Sequence, residues 1–282
     1  MTDASRAGAA KLRGGALDLD GTLLRSDHTI SAVTRQVCRQ LIARGVWLTL
    51  ASARPPESVR QFGESLGSPG PWIALNGAVV FTPDRRIIHR CALPGEIVTE
   101  ILRRYRDRND VSVNIYSGFD WLVLRHDPRS DAEAAIVGFG PSLLGSRDNI
   151  TADKILLIAE PAALADVRRE LTAHGGKVNT ALSKPSYLEI TARDADKGRA
   201  LAVAAAYAGL GLDDVLAAGD GENDIPMLSM CGFAVAMGHS PAATKKAARH
   251  VVGSNDDDSL ASFLRSVLIA GGAGSGRAAA EG

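Results

Sequence analysis

Short apolar runs alternate with stretches of helical periodicity toward both ends of this chain. Ala16-Leu17-Asp18-Leu19 is closed by Asp20-Gly21 and reads as a buried strand stopping at a turn. A helix follows, with Ser31 as its cap, Val33, Val37 and Leu41 at helical spacing and Gly45 at its end. Val46 to Leu50 is the next strand, Pro55-Pro56 opens a second helix, and the apolar Trp72 to Leu75 precedes a turn at Asn76-Gly77. The texture returns late: a helix over Lys197 to Ala208, a strand at Val215 to Ala218, a short helix after Asp224 and a strand at Phe233 to Val235. Alternation of this kind predicts an α/β fold with a parallel sheet covered by helices on both faces.

Between these halves the alternation breaks. Strands at Val111 to Tyr116, Trp121 to Leu124, Ile155 to Ile158 and Tyr187 to Thr191 are interleaved with two helical patterns, which predicts an inserted α+β domain. The expected layout is a core over 13–83 and 194–270 with an insertion over 84–193. A tail over 271–282, rich in Gly and Ala and without periodicity, is expected to be disordered.

Composition narrows the function classes. Lys and Arg total 32 and Asp and Glu total 32, so no basic excess favours nucleic acid or an anionic membrane surface. No apolar stretch is long enough to span a bilayer, and Met1 to Gly15 lacks the apolar run of a secretory signal. Cys38, Cys91 and Cys231 have neither disulfide-framework nor zinc-site spacing, which fits a reducing cytoplasm.

The polar clusters fall where strands end. Asp18-Leu19-Asp20-Gly21-Thr22 follows the first strand, Ser52-Ala53-Arg54 the second, and Gly219-Asp220-Gly221-Glu222-Asn223-Asp224 the late strand, while Lys197-Gly198 starts a late helix. In a parallel sheet, ligands bind at the carboxyl ends of strands. Carboxylates and a lysine converging there outline a site for a hard cation and a phosphoryl group. A lysine in the first turn of a helix opposes the macrodipole, so Lys197 reads as functional. The acidic run is not a calcium loop, since the sixth and twelfth positions from Asp220 are Ile225 and Cys231. Neither a dinucleotide fingerprint nor a Gly-Lys-Ser/Thr phosphate loop occurs.

These five motifs, with Asn76-Gly77-Ala78 among them, resemble in order and spacing the haloacid dehalogenase superfamily, and more narrowly its Cof-type phosphatases, from Ala16 to about Leu264. The resemblance implies a Rossmann-like core carrying an inserted α/β cap, and a Mg²⁺-dependent phosphatase acting on a small phosphorylated metabolite through an aspartyl-phosphate. It makes Asp18 nucleophile and metal ligand, and Asp20 general acid and base with its main-chain carbonyl on the metal. Ser52, the Ala53 amide, Lys197 and Asn223 would hold the phosphoryl group, and Asp220, with Asp224 behind it or at its edge, would complete the metal site. Ala53 departs from the family pattern, in which glycine is usual.

Plainer readings stand beside these. Asp20-Gly21 alone is a common turn pair, Asp224 before Ile225-Pro226 could cap a helix, and Ser52 could be a polar strand end. Asp256-Asp257-Asp258 reads as a solvated loop capping the last helix, outside the site, and the six histidines have no metal-ligand spacing. A phosphomutase of the same superfamily would use the same Asp18 and Asp20. A phospholigand sensor would ordinarily lack the nucleophile or the lysine.

Overall fold

The computed structural model describes residues 12–146, 150–173 and 176–269; the tail expected over 271–282 lies outside the described residues. The chain folds as two compact units. One holds the described residues of Met1–Ser52, Phe62–Trp72 and Lys197–Gly282; the other holds Ala53–Gln61 and Ile73–Asp196. Among the described residues, no helix is long and apolar enough to cross a membrane.

The first unit is built on a five-stranded sheet in the order His250–Val251, Phe233–Ala236, Val215–Gly219, Gly14–Leu17, Trp47–Leu50. Every neighbouring pair is parallel. Four of these strands are buried along their whole length, which is why they read in the sequence as mostly apolar runs, broken only by Thr49 of Trp47–Leu50. Ser31 caps the helix Ala32–Ala43 by accepting from the Thr34 amide at 3.0 Å, and Gly45, at φ 77°, turns the chain back toward the sheet. From Gly14–Leu17 the chain runs to one neighbour, Trp47–Leu50, and later returns to the other, Val215–Gly219. The order of strands therefore reverses at the first strand, leaving a crevice at its carboxyl end.

The second unit carries a six-stranded sheet in the order Val178–Lys184, Tyr187–Ala192, Lys154–Ile158, Ser112–Ser117, Asp120–Val123, Ser142–Leu143, antiparallel except for the last pair. Side chains alternate between its faces. Val113, Ile115, Ile155, Leu157, Leu188 and Ile190 join Ile97, Ile101 and Val167 of two helices in one apolar core. The opposite parity places Asn114, Tyr116, Lys154 and Glu189 on the other face.

One local expectation changes. The segment holds three helices, Gly95–Tyr105, Pro128–Val137 and Pro161–Ala173, where the periodicity predicts two. The extra one, Pro128–Val137, buries Ser130 and Glu133 beside Val137, so no apolar stripe marks it; its start is set by Asp127, which accepts from the Arg129 and Ser130 amides. Trp72–Ala74 pairs outside the parallel sheet, in a three-stranded sheet with Val79–Phe81 and Ile87–Arg90.

Candidate active site

The site in the first unit grows out of strand ends. Asp18 follows Gly14–Leu17, its amide donating to the Ala218 carbonyl at 3.0 Å, and Asp220 follows Val215–Gly219 on the adjacent strand. Thr22 of the turn after Asp18 reaches Asp220 Oδ1 at 3.3 Å. Lys197 begins the helix Lys197–Tyr207 and is wholly buried; its Nζ donates to Asp18 Oδ1 at 2.7 Å and to Asp224 Oδ1 at 2.6 Å. The second oxygen of Asp224 accepts from the amides of Asp220 and Gly221, both at 2.9 Å. Asp224 makes no side-chain cap on the helix Ile225–Met230, so its carboxylate braces the loop and the lysine instead.

Gly198 explains the pairing Lys-Gly. A Cβ there would lie 2.7 Å from the Pro226 carbonyl oxygen and 2.8 Å from Met230 Sδ, so only glycine lets Lys197–Tyr207 approach Ile225–Met230 this closely. Gly198→Ala is expected to destabilise the protein by about 1–3 kcal/mol through overpacking and, by shifting the neighbouring Lys197, to lower activity. Thermal unfolding beside steady-state kinetics checks both effects.

Electrostatics set this cluster apart. One ligand atom from each of Asp18, Asp220 and Asp224 lies within 4.8 Å of the others. Burial, then the charge of Asp224, push the Asp18 carboxyl well above the usual carboxylate range despite Lys197. Burial and Asp224 also raise Asp220. Burial works to lower Lys197, but the charges of Asp18 and Asp224 outweigh it and hold the ammonium above its ordinary value. Three carboxylates against one ammonium leave an excess of two negative charges, the complement of one divalent cation. Asp18 Oδ2 is buried with no hydrogen-bond partner. An all-oxygen donor set with an orphaned carboxylate oxygen fits a hard divalent cation.

The remaining predicted residues take different places. The Asp20 side chain is 44 % exposed and faces His28 Nδ1 at 3.4 Å. Ser52 is buried just beyond Trp47–Leu50, where the Ala51 amide donates to the Leu17 carbonyl at 2.9 Å. Asn223 is exposed on the loop carrying Asp220 and Asp224. Ala53 belongs to the second unit, where its carbonyl accepts from Lys154.

Beside the acidic cluster, Asp20, His28, Asp220, His239 and Asp256 line a cleft of about 550 Å³. Asp256 borders this cleft from an exposed turn. It is drawn there because its carboxylate accepts from the Ser26 amide and hydroxyl at 2.9 and 2.7 Å. Asp257 accepts from the Ser259 amide, while Asp258, at the N-cap position of Ser259–Leu264, reaches back to Ser31 and Arg25. His239 Nε2 stands 3.5 Å from Asp220 Oδ2. His239 and Asp220 sit on loops that follow separate strands, so no sequence signal links them, whereas His28 and Asp20 share the loop between Gly14–Leu17 and Ala32–Ala43.

A parallel α/β unit that gathers acidic ligands and a buried lysine at its switch point is an enzyme fold with a cation-receptive site. The chain belongs to the haloacid dehalogenase-like hydrolases, whose family model matches residues 16–264. It is similar to the HMP-PP phosphatase of Yersinia enterocolitica, 30 % identical over 89 % of this chain and 93 % of that one. A second HMP-PP phosphatase, from Yersinia pestis, is 31 % identical over 80 % of this chain and 83 % of its own length. Among solved structures, a haloacid dehalogenase-like hydrolase from Bacteroides thetaiotaomicron superposes with a TM-score of 0.83 at 28 % identity, covering 91 % of this chain and all of that one.

Proposed function

We propose that this chain is a Mg²⁺-dependent phosphatase that hydrolyses a small phosphorylated metabolite, a sugar phosphate or similar phosphomonoester, through an aspartyl-phosphate on Asp18. The observation that carries the reading is the state of the Asp18 carboxylate, which clusters with Asp220 and Asp224: one oxygen is held by Lys197 and the other is buried without a hydrogen-bond partner. Relatives named HMP-PP phosphatase support phosphatase chemistry over other family chemistries.

Asp18, Asp220 and the main-chain carbonyl of Asp20 would hold the cation; Asp224, with both oxygens already engaged, would brace the edge of the site. When bound, the cation supplies charge neutralisation that lets an anionic nucleophile approach a phosphate ester. Asp18 attacks phosphorus and the bond to the ester oxygen breaks, while Asp20 gives its proton to the leaving alkoxide. Asp20 then takes a proton from water as that water attacks phosphorus; the bond to Asp18 breaks, returning the carboxylate and releasing inorganic phosphate. Lys197, Ser52, Asn223 and the Ala53 amide would hold the phosphoryl oxygens through both steps. Selection of the organic part of the substrate falls to the insertion over 84–193, and the core over 13–83 and 194–270 carries the chemistry. Three free thiols suit the cytoplasm.

A phosphate-release screen over phosphorylated metabolites with Mg²⁺ tests the activity. Exhaustive chelation is expected to abolish turnover and Mg²⁺ to restore it, while excess Ca²⁺ suppresses it by demanding more ligands at longer distances. Full turnover after chelation, or rescue by Zn²⁺ alone, would contradict the cation assignment.

A further inference from the structure

The Asn76-Gly77-Ala78 motif has no part in the chemistry above, yet within the second unit it converges with two buried charges on the main chain at Ala53 and Arg54. Lys154, with 5 % of its side chain exposed, donates from Nζ to the Ala53 carbonyl at 3.1 Å and pairs with Glu189 Oε2 at 3.0 Å. The same Glu189 oxygen accepts from Asn76 Nδ2 at 3.0 Å. Leu75, beside Asn76, donates its amide to the Arg54 carbonyl, also at 3.0 Å. Successive carbonyls of the 53–54 turn are thus tied to one network.

That network is costly to keep. Leu75 and Asn76 both lie in the left-handed region, at φ 53° and 58°; asparagine tolerates this, leucine does so at a penalty. Lys154 is removed from water, and a buried ion pair seldom stabilises a fold more than apolar side chains of the same volume would. Leu156, two residues along the same strand and face, shows that an apolar residue suits this surface. What an ammonium adds is direction: a donor fixed by Glu189, with the Tyr116 ring 5.7 Å away, aimed at one carbonyl. Fixing the Ala53 carbonyl fixes the peptide plane after Ala53 and restricts the amide before it.

We propose that Asn76, Glu189 and Lys154 form a positioning relay that holds the Ala53–Arg54 turn so that the Ala53 amide points where a phosphoryl oxygen requires it. This rests on the phosphatase reading, in which that amide holds phosphate. In this relay the three residues are assigned a positioning role, each acting through the turn.

The test uses the full chain with Mg²⁺ and two variants, Lys154→Met and the double variant Lys154→Met with Glu189→Gln. The double variant leaves no buried charge of the pair unmatched, so a loss that persists in it is not a loss of folding. In both, amide exchange at Ala53 and Arg54 is expected to quicken, and the inhibition constant for inorganic phosphate to rise roughly tenfold or more. The kcat/KM for the best screened substrate is expected to fall by about 10- to 100-fold, the scale of a misplaced contact. A double variant that folds like the wild type, with unchanged exchange at the turn or unchanged inhibition by phosphate, overturns the relay. If the wild-type protein itself neither releases phosphate nor is inhibited by it, the phosphatase reading falls first, and that failure needs no variant to be seen.

Discussion

Asp18→Asn is expected to abolish turnover, lowering kcat by about four orders of magnitude or more, because it removes the nucleophile while keeping the side-chain shape. The same change should not weaken the fold. Burial and the charge of Asp224 raise the Asp18 carboxyl, so its ionised form is held at a cost near neutral pH. Metal-free Asp18→Asn protein is therefore expected to melt no lower than the wild type. A folded carboxyl raised above its unfolded value binds more protons than the unfolded one, so Asp18 favours folding below the unfolded value. That contribution is lost as pH rises through the raised folded value. The variant should lack this part of the decline. Near-normal turnover by folded Asp18→Asn protein would remove the mechanism, and a large loss of melting temperature would remove the electrostatic account.

Lys197→Met should damage both stability and activity. The ammonium is the shared partner of Asp18 and Asp224, at 2.7 and 2.6 Å, and all three groups are buried. Removing one partner of a buried pair while leaving the charges behind typically costs about 3–5 kcal/mol. Without metal, unfolding in denaturant should reveal a loss of this size, and Mg²⁺ should recover part of it because a bound cation opposes the same stranded carboxylates. Turnover should fall by about 10²-fold or more through loss of a charge beside the reacting group. A metal-free variant as stable as the wild type would mean that the carboxylates are not ionised together, and the proposed cation site would lose its physical basis.

Asp18 and Lys197 are both legible in the amino-acid sequence, for reasons that generalise. Strands buried on both faces must be apolar throughout, so Gly14–Leu17 and Val215–Gly219 announce themselves, and the polar residues at their ends stand out against them. A lysine opening a helix has no local reason to be there, and Ser31 names the start of Ala32–Ala43 because capping is local chemistry. The helix Pro128–Val137 leaves no such trace because its buried side includes Ser130 and Glu133, and Val178–Lys184 leaves none because an edge strand that is mostly exposed needs no apolar alternation.

By itself the sequence determined the α/β alternation, the interruption by a second texture, and the carboxylates and lysine at the strand ends, because each follows from periodicity or from chemistry within a few residues. Only the tertiary structure decided how those groups share charge: that Lys197 bridges Asp18 and Asp224, that one Asp18 oxygen is left without a partner, and that His28, His239 and Asp256 come to the same cleft. It alone joined Asn76, Glu189 and Lys154 to the Ala53 carbonyl. Desolvation and Coulomb interaction depend on separations in space, and residues far apart along the chain carry no local trace of the neighbours that folding gives them.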